Sequence, residues 1–122
     1  MLSYGFTGHA IRRLQQRGIP KEFIALLWYF GREERCPQAL KLSLTARDYR
    51  QLLRLFTQMP AEKIPSELMQ GLCLLLGYRL EEFPALHHHI GRLLRQYGKK
   101  LSKLYLVLSP DNGAIITAAY RS

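Results

Sequence analysis

The sequence predicts an α+β fold: two N-terminal helices and further helices packed on a small antiparallel sheet that ends in a C-terminal β-hairpin. Three observations carry this. Helix-period apolar spacing fills residues 8–30. A strand-period run, "ALKLSL" at 39–44, leads directly into a segment with helix-capping chemistry. Two strand-like segments at the end of the chain flank "PDNG", a strong turn signal. Helices first and an antiparallel hairpin last point to helices layered on one sheet. The 122 residues are expected to form one domain, 1–122, large enough for a core without disulfide or metal staples.

Each element has its own local reason. Residues 8–17 read as a helix with Ala10, Ile11 and Leu14 on its apolar edge. Thr7 can cap its start, and Gly18 suits the left-handed position after its end. Pro20 fits the first turn of a second helix, "PKEFIALLWYFG", which is apolar almost all round and therefore belongs in the core. Residues 32–38 are expected to be a loop. In "ALKLSL", Leu40, Leu42 and Leu44 share one face and Lys41 and Ser43 the other, the period of a half-buried strand. "TARDYRQLLRLF" follows, with Thr45 as N-cap and Asp48 as its capping-box partner.

Residues 57–83 are punctuated by prolines and give a weaker pattern. "PSELMQGLCLLLGY" is expected to be a short helix capped by Ser66, with Leu68, Leu72 and Leu75 or Leu76 inward. "LHHHIGRLLRQYGKK" reads as a helix with Leu86, Ile90, Leu93, Leu94 and Tyr97 buried, stopped by Gly98. His88, Arg92, Arg95 and Lys99 fall on its opposite face. In the last strand, alternation groups Ile115, Thr117, Ala119 and Arg121 on one face, and Ile116, Ala118 and Tyr120 on the other.

Net charge is +9, from 18 basic and 9 acidic side chains. Residues 1–60 carry 10 basic and 4 acidic groups, and residues 83–122 carry 6 and 1. Residues 61–82 reverse the sign, with 2 and 4. Two basic ends that converge would attract RNA or another polyanion. An apolar content of 48% is that of an ordinary globular protein and does not indicate disorder. The two cysteines, Cys36 and Cys73, form no C-x-x-C pair and suggest reduced thiols in a cytoplasmic protein. The longest apolar run, residues 72–78, is too short to span a bilayer, so no membrane partner is expected.

One stripe could carry chemistry. His9, Arg13 and Arg17 stand four apart, so their side chains lie along one side of the first helix, with Arg12 beside His9. Histidine can give and take a proton near neutrality, and arginine is a fixed bidentate phosphate ligand. Together they suit phosphodiester cleavage, in which cations stabilise a charged phosphorane. The same spacing also fits a solvated basic face. His87, His88 and His89 do not suggest a metal site, because consecutive helical residues point about 100° apart. No nucleotide-binding or nucleophile-elbow motif is present, and no cofactor is expected.

"HAIRRLQQRGIP" at 9–20, together with "YLVLSPDNGAIITAAYR" at 105–121 and "ALKLSLTAR" at 39–47, resembles a family of small bacterial proteins of unknown function. That family is placed near the barnase–EndoU–colicin–RelE type of ribonuclease toxin folds. The resemblance implies a metal-independent site between the first helix and the terminal sheet that cleaves or binds RNA. On it, His9 would be acid or base, Arg13, Arg17 and Arg121 would hold phosphate oxygens, and Thr117 would orient phosphate or ribose. Arg12, Lys41, His88, Arg92, Arg95 and Lys99 would bind the nucleic-acid backbone. On the same resemblance, Tyr120 stands at the position where that family would have histidine, and residues at about 57–85 look like a helical insertion. An antitoxin-like protein is the implied partner. The alternative is a non-catalytic nucleic-acid-binding or protein-interaction module on the same scaffold.

Overall fold

The structure, a computed structural model, describes residues 18–111 and 113–121. The first predicted helix, with His9, Arg12, Arg13 and Arg17, lies outside the described residues.

Helix α1 spans Lys21–Phe30. Gly18 takes φ 77°, the left-handed conformation expected of it. Pro20 occupies the cap position just ahead of the helix, and its carbonyl accepts from the amides of Phe23 and Ile24. Phe23 to Leu27 are buried, so α1 is the core element its composition predicts.

Residues 32–38 are not a loop. Arg32–Cys36 forms strand β1, antiparallel to β2 at Ala39–Ser43 with Glu33 opposite Leu42 and Cys36 opposite Ala39. All five β1 residues are exposed, so burial imposes no alternation and the strand rests on backbone pairing. Its "REER" charges also guard a sheet edge against pairing with another chain. The sheet continues through β3 (Leu104–Leu108) to β4 (Ile115–Tyr120) in the order β1-β2-β3-β4, antiparallel throughout. Leu42, Leu104, Leu106, Leu108 and Ala118 are buried and join the core.

The terminal hairpin has one irregularity. Val107 pairs with Thr117 but Leu108 pairs with Ile115, which leaves Ile116 as a bulge residue. Ile115 therefore packs against the core, and Ile116 is 55% exposed. Strict alternation grouped these two isoleucines on the wrong faces, because one extra residue reverses the pattern beyond it.

Helix α2 spans Ala46–Leu53 and starts with the expected capping box. Thr45 Oγ1 accepts from the Asp48 amide at 3.1 Å and donates to Asp48 Oδ2 at 2.8 Å. The helix widens into a π-helical turn over Arg54–Gln58, in which the Met59 amide reaches back to the Arg54 carbonyl. Residues 57–85 share the single core. They hold a 3₁₀ turn, helix α3 (Ser66–Leu76) and a second 3₁₀ turn, and they bury Ile64, Leu72, Cys73, Leu76 and Phe83. Pro65, not Ser66, holds the cap position of α3.

Helix α4 runs Phe83–Lys103, past Gly98. Leu86, Ile90, Leu94 and Leu101 are buried as the helical period requires. Tyr97 departs from helical geometry (φ −128°, ψ 17°) and is 47% exposed, so it leaves the predicted stripe. Gly98 is a packing position instead of a stop: a Cβ there would overlap the Tyr49 hydroxyl. One Cβ at Gly91 would stand 2.5 Å from the Phe56 carbonyl oxygen. Tyr49 at Gly98 and Phe56 at Gly91 show α2 and its π turn running antiparallel along α4.

Candidate nucleic-acid interface

The π turn creates a need that α4 meets. In that turn the Leu55 carbonyl would look five residues ahead, to Pro60, which has no N–H. His87 Nε2 lies 2.9 Å from the Leu55 oxygen. A carbonyl only accepts, so His87 carries its proton on Nε2. Its ring also packs on Phe56 and Phe83, with centroids 5.3 and 5.9 Å away. Arg95 Nη2 donates to the Thr57 carbonyl at 3.4 Å. His89 turns elsewhere, with Nε2 3.1 Å from Oε2 of the buried Glu22 in the first turn of α1. His88, between them, is exposed. The three histidines thus enter three environments, as their 100° steps require.

His88, Arg92, Arg95 and Lys99 are all exposed along one side of α4. A second cationic line lies on α2 and its π turn. Arg47, Arg50 and Arg54 follow helical spacing and, with Gln51, line a shallow groove of ≈ 400 Å³. Among the described residues these three arginines have no ion pair or hydrogen-bonded side-chain partner, unlike Arg32 with Asp48 or Arg79 with Glu81 and Glu82. The one carboxylate on α2, Asp48, is turned into the capping box and toward Arg32 Nε at 3.2 Å. Burial pushes the Asp48 carboxyl up. The hydrogen bonds from Thr45 and Arg32 outweigh that and hold it below the usual aspartate range.

Arg50 also faces an adjoining depression of ≈ 380 Å³, where the start of α2 meets the end of α4. Arg121 lines its other side. The Arg121 amide donates to the Lys103 carbonyl at 2.8 Å, and its Nη2 donates to the Ser102 carbonyl at 3.0 Å. Those bonds cap the end of α4 and fix the guanidinium in place. Arg50 and Arg121 are brought together although the sequence separates them widely. Arg47, Arg50 and Arg54 were missed as site residues. Their spacing on a segment already legible as a helix was the available signal.

Thr117 is not among the residues of that depression. It sits across from Val107, which sits across from Lys41, so Lys41 and Thr117 belong to one row of the sheet. Lys41 Nζ lies 4.9 Å from the centre of the Tyr105 ring, a cation–π contact. Thr117 and Arg121 are four residues apart along a strand direction, roughly 13 Å at strand rise. Tyr120 stands opposite Leu104 and packs against the core. Burial pushes its hydroxyl above the ordinary tyrosine value.

Fold and surface together define a class: a small α+β protein with a four-stranded antiparallel sheet and an arginine-lined groove on its helical side. In comparisons with known proteins, no protein family, no curated protein and no solved structure matches the chain. No described helix is long and apolar enough to cross a membrane.

Proposed function

We propose that this protein binds RNA through the basic face of α2 and α4. The observation that carries this is the line Arg47, Arg50 and Arg54, three arginines without an acidic partner among the described residues, which continues through Arg50 to Arg121. A solvated face is usually laced with opposite charges. Here the carboxylate within reach is committed to a cap, which leaves the arginines' donors for phosphate oxygens.

Cleavage of the bound RNA is the second reading. It is favoured by one sequence feature, His9 with Arg13 and Arg17 at four-residue spacing. In it the 2′-hydroxyl attacks the adjacent phosphorus to form a 2′,3′-cyclic phosphate as the P–O5′ bond breaks. His9 takes the 2′-hydroxyl proton or gives one to the departing 5′-oxygen, and Arg13, Arg17 and Arg121 hold the phosphate oxygens while Thr117 orients the sugar–phosphate.

The test titrates labelled single-stranded RNA with wild type and with the triple variant Arg47→Gln, Arg50→Gln, Arg54→Gln. Loss of three charge-assisted contacts is expected to weaken binding by more than about tenfold. Equal affinity for both proteins refutes the interface. Incubation of the same RNA with wild type and His9→Ala separates the two readings. Cleavage by wild type alone establishes the second, and equal cleavage by both removes His9 from the chemistry.

A further inference from the structure

We propose, resting on that reading of the arginine face, that the depression between Arg50 and Arg121 seats a nucleoside phosphate monoester. Its chemistry matches the terminal nucleotide of an RNA strand or a free mononucleotide. The depression measures ≈ 380 Å³, within the size range of small-ligand sites. Its two cations come from different elements and face one space. Arg121 is held from behind by the Ser102 carbonyl through Nη2, which leaves its other N–H donors for a ligand. The Arg50 side chain makes no hydrogen bond among the described residues; its carbonyl accepts from the Arg54 amide. Among the described residues, no acidic side chain lines the depression.

Two features select a monoester on a nucleoside. A monoester carries about −1.5 to −2 at neutral pH, against −1 for an internal diester, so paired guanidiniums favour a strand end. Leu44, Ala46 and Tyr49 line the same space. They offer an apolar wall, including an aromatic ring held against Gly98, to a sugar or base, which a bare inorganic anion would not use. Arg50 then belongs to both depressions, so a strand whose end is seated between Arg50 and Arg121 continues along Arg47 and Arg54.

The experiment measures binding of one hexanucleotide RNA in three forms: 5′-phosphate, 3′-phosphate, and hydroxyl at both ends. Wild type is expected to bind one phosphorylated form about tenfold more tightly than the hydroxyl form. Arg121→Met, checked for native circular dichroism, is expected to lose that preference, weakening the phosphorylated form by about tenfold and the hydroxyl form by much less. Arg47→Gln is expected to weaken all three forms alike. Equal binding of the three forms by wild type overturns the seat and leaves the RNA interface standing. Absence of binding to every form overturns the interface itself, and the seat with it. Competition with a nucleoside monophosphate identifies the source: equal potency to the phosphorylated oligonucleotide assigns the seat to a free nucleotide, and much weaker competition assigns it to an RNA end.

Discussion

Replacing Gly91 with alanine tests the seam between α2 and α4. A Cβ at Gly91 would lie 2.5 Å from the Phe56 carbonyl oxygen and 3.5 Å from its carbon. The obstacle is backbone of the π turn, so no rotamer change relieves it. Alanine in a helix interior is favoured over glycine by about 1 kcal/mol, which acts to stabilise. Overpacking against fixed atoms costs roughly 1–3 kcal/mol in the other direction, and displacing the π turn also disturbs the His87 bond to Leu55. The net expectation is a loss of about 1–2 kcal/mol, or a fall in Tm of roughly 4–8 °C for a chain of this size. Thermal unfolding by circular dichroism reads this directly. Gly71→Ala offers the contrast of a side-chain obstacle: its Cβ would meet the Tyr29 hydroxyl and lie 2.6 Å from Cζ, so that variant requires the Tyr29 ring to move instead of backbone. A rise in Tm for Gly91→Ala would refute the close approach, since helix propensity alone would then decide the outcome.

Other outcomes follow from the same contacts. His87→Phe keeps a ring beside Phe56 and Phe83 but orphans the Leu55 carbonyl, at a cost of about 1–3 kcal/mol in urea denaturation. Unchanged stability would mean that the carbonyl has another partner. Asp48 has a folded pKa below its unfolded value of about 3.9, so its contribution is present above that pH and lost as pH falls through the folded value. The stability gap between wild type and Asp48→Asn is therefore expected to shrink as pH falls below the unfolded value and through the lower folded one. A gap independent of pH would contradict an ionised Asp48 in the cap.

Elements whose residues satisfy a local rule were legible in the sequence. The Thr45–Asp48 capping box, the apolar α1 and the hairpin around "PDNG" each announce themselves within a few residues. β1 was hidden because an edge strand exposed on all five residues has no periodicity to read. Gly98 misled because glycine serves both as a helix stop and as a point of close approach, and only the position of Tyr49 separates the two. The bulge at Ile116 escaped for a similar reason, since nothing local marks the residue that the opposing strand skips. The site divides along the same line. The arginine spacing on α2 is local, whereas the meeting of Arg50 with Arg121 depends on where α4 ends and β4 leaves the sheet. His89 and Glu22, 67 residues apart, form a pair that only tertiary packing reveals.

The central claim is that Arg47, Arg50 and Arg54 contact RNA phosphates. The salt dependence of binding counts such contacts, because each neutralised phosphate on a single strand contributes about −0.7 to the slope of log K against log salt. The decisive measurement compares that slope for wild type and for the triple glutamine variant. The slope is expected to flatten by about 2 units in the variant. Identical slopes, with or without a change in affinity, would contradict the account.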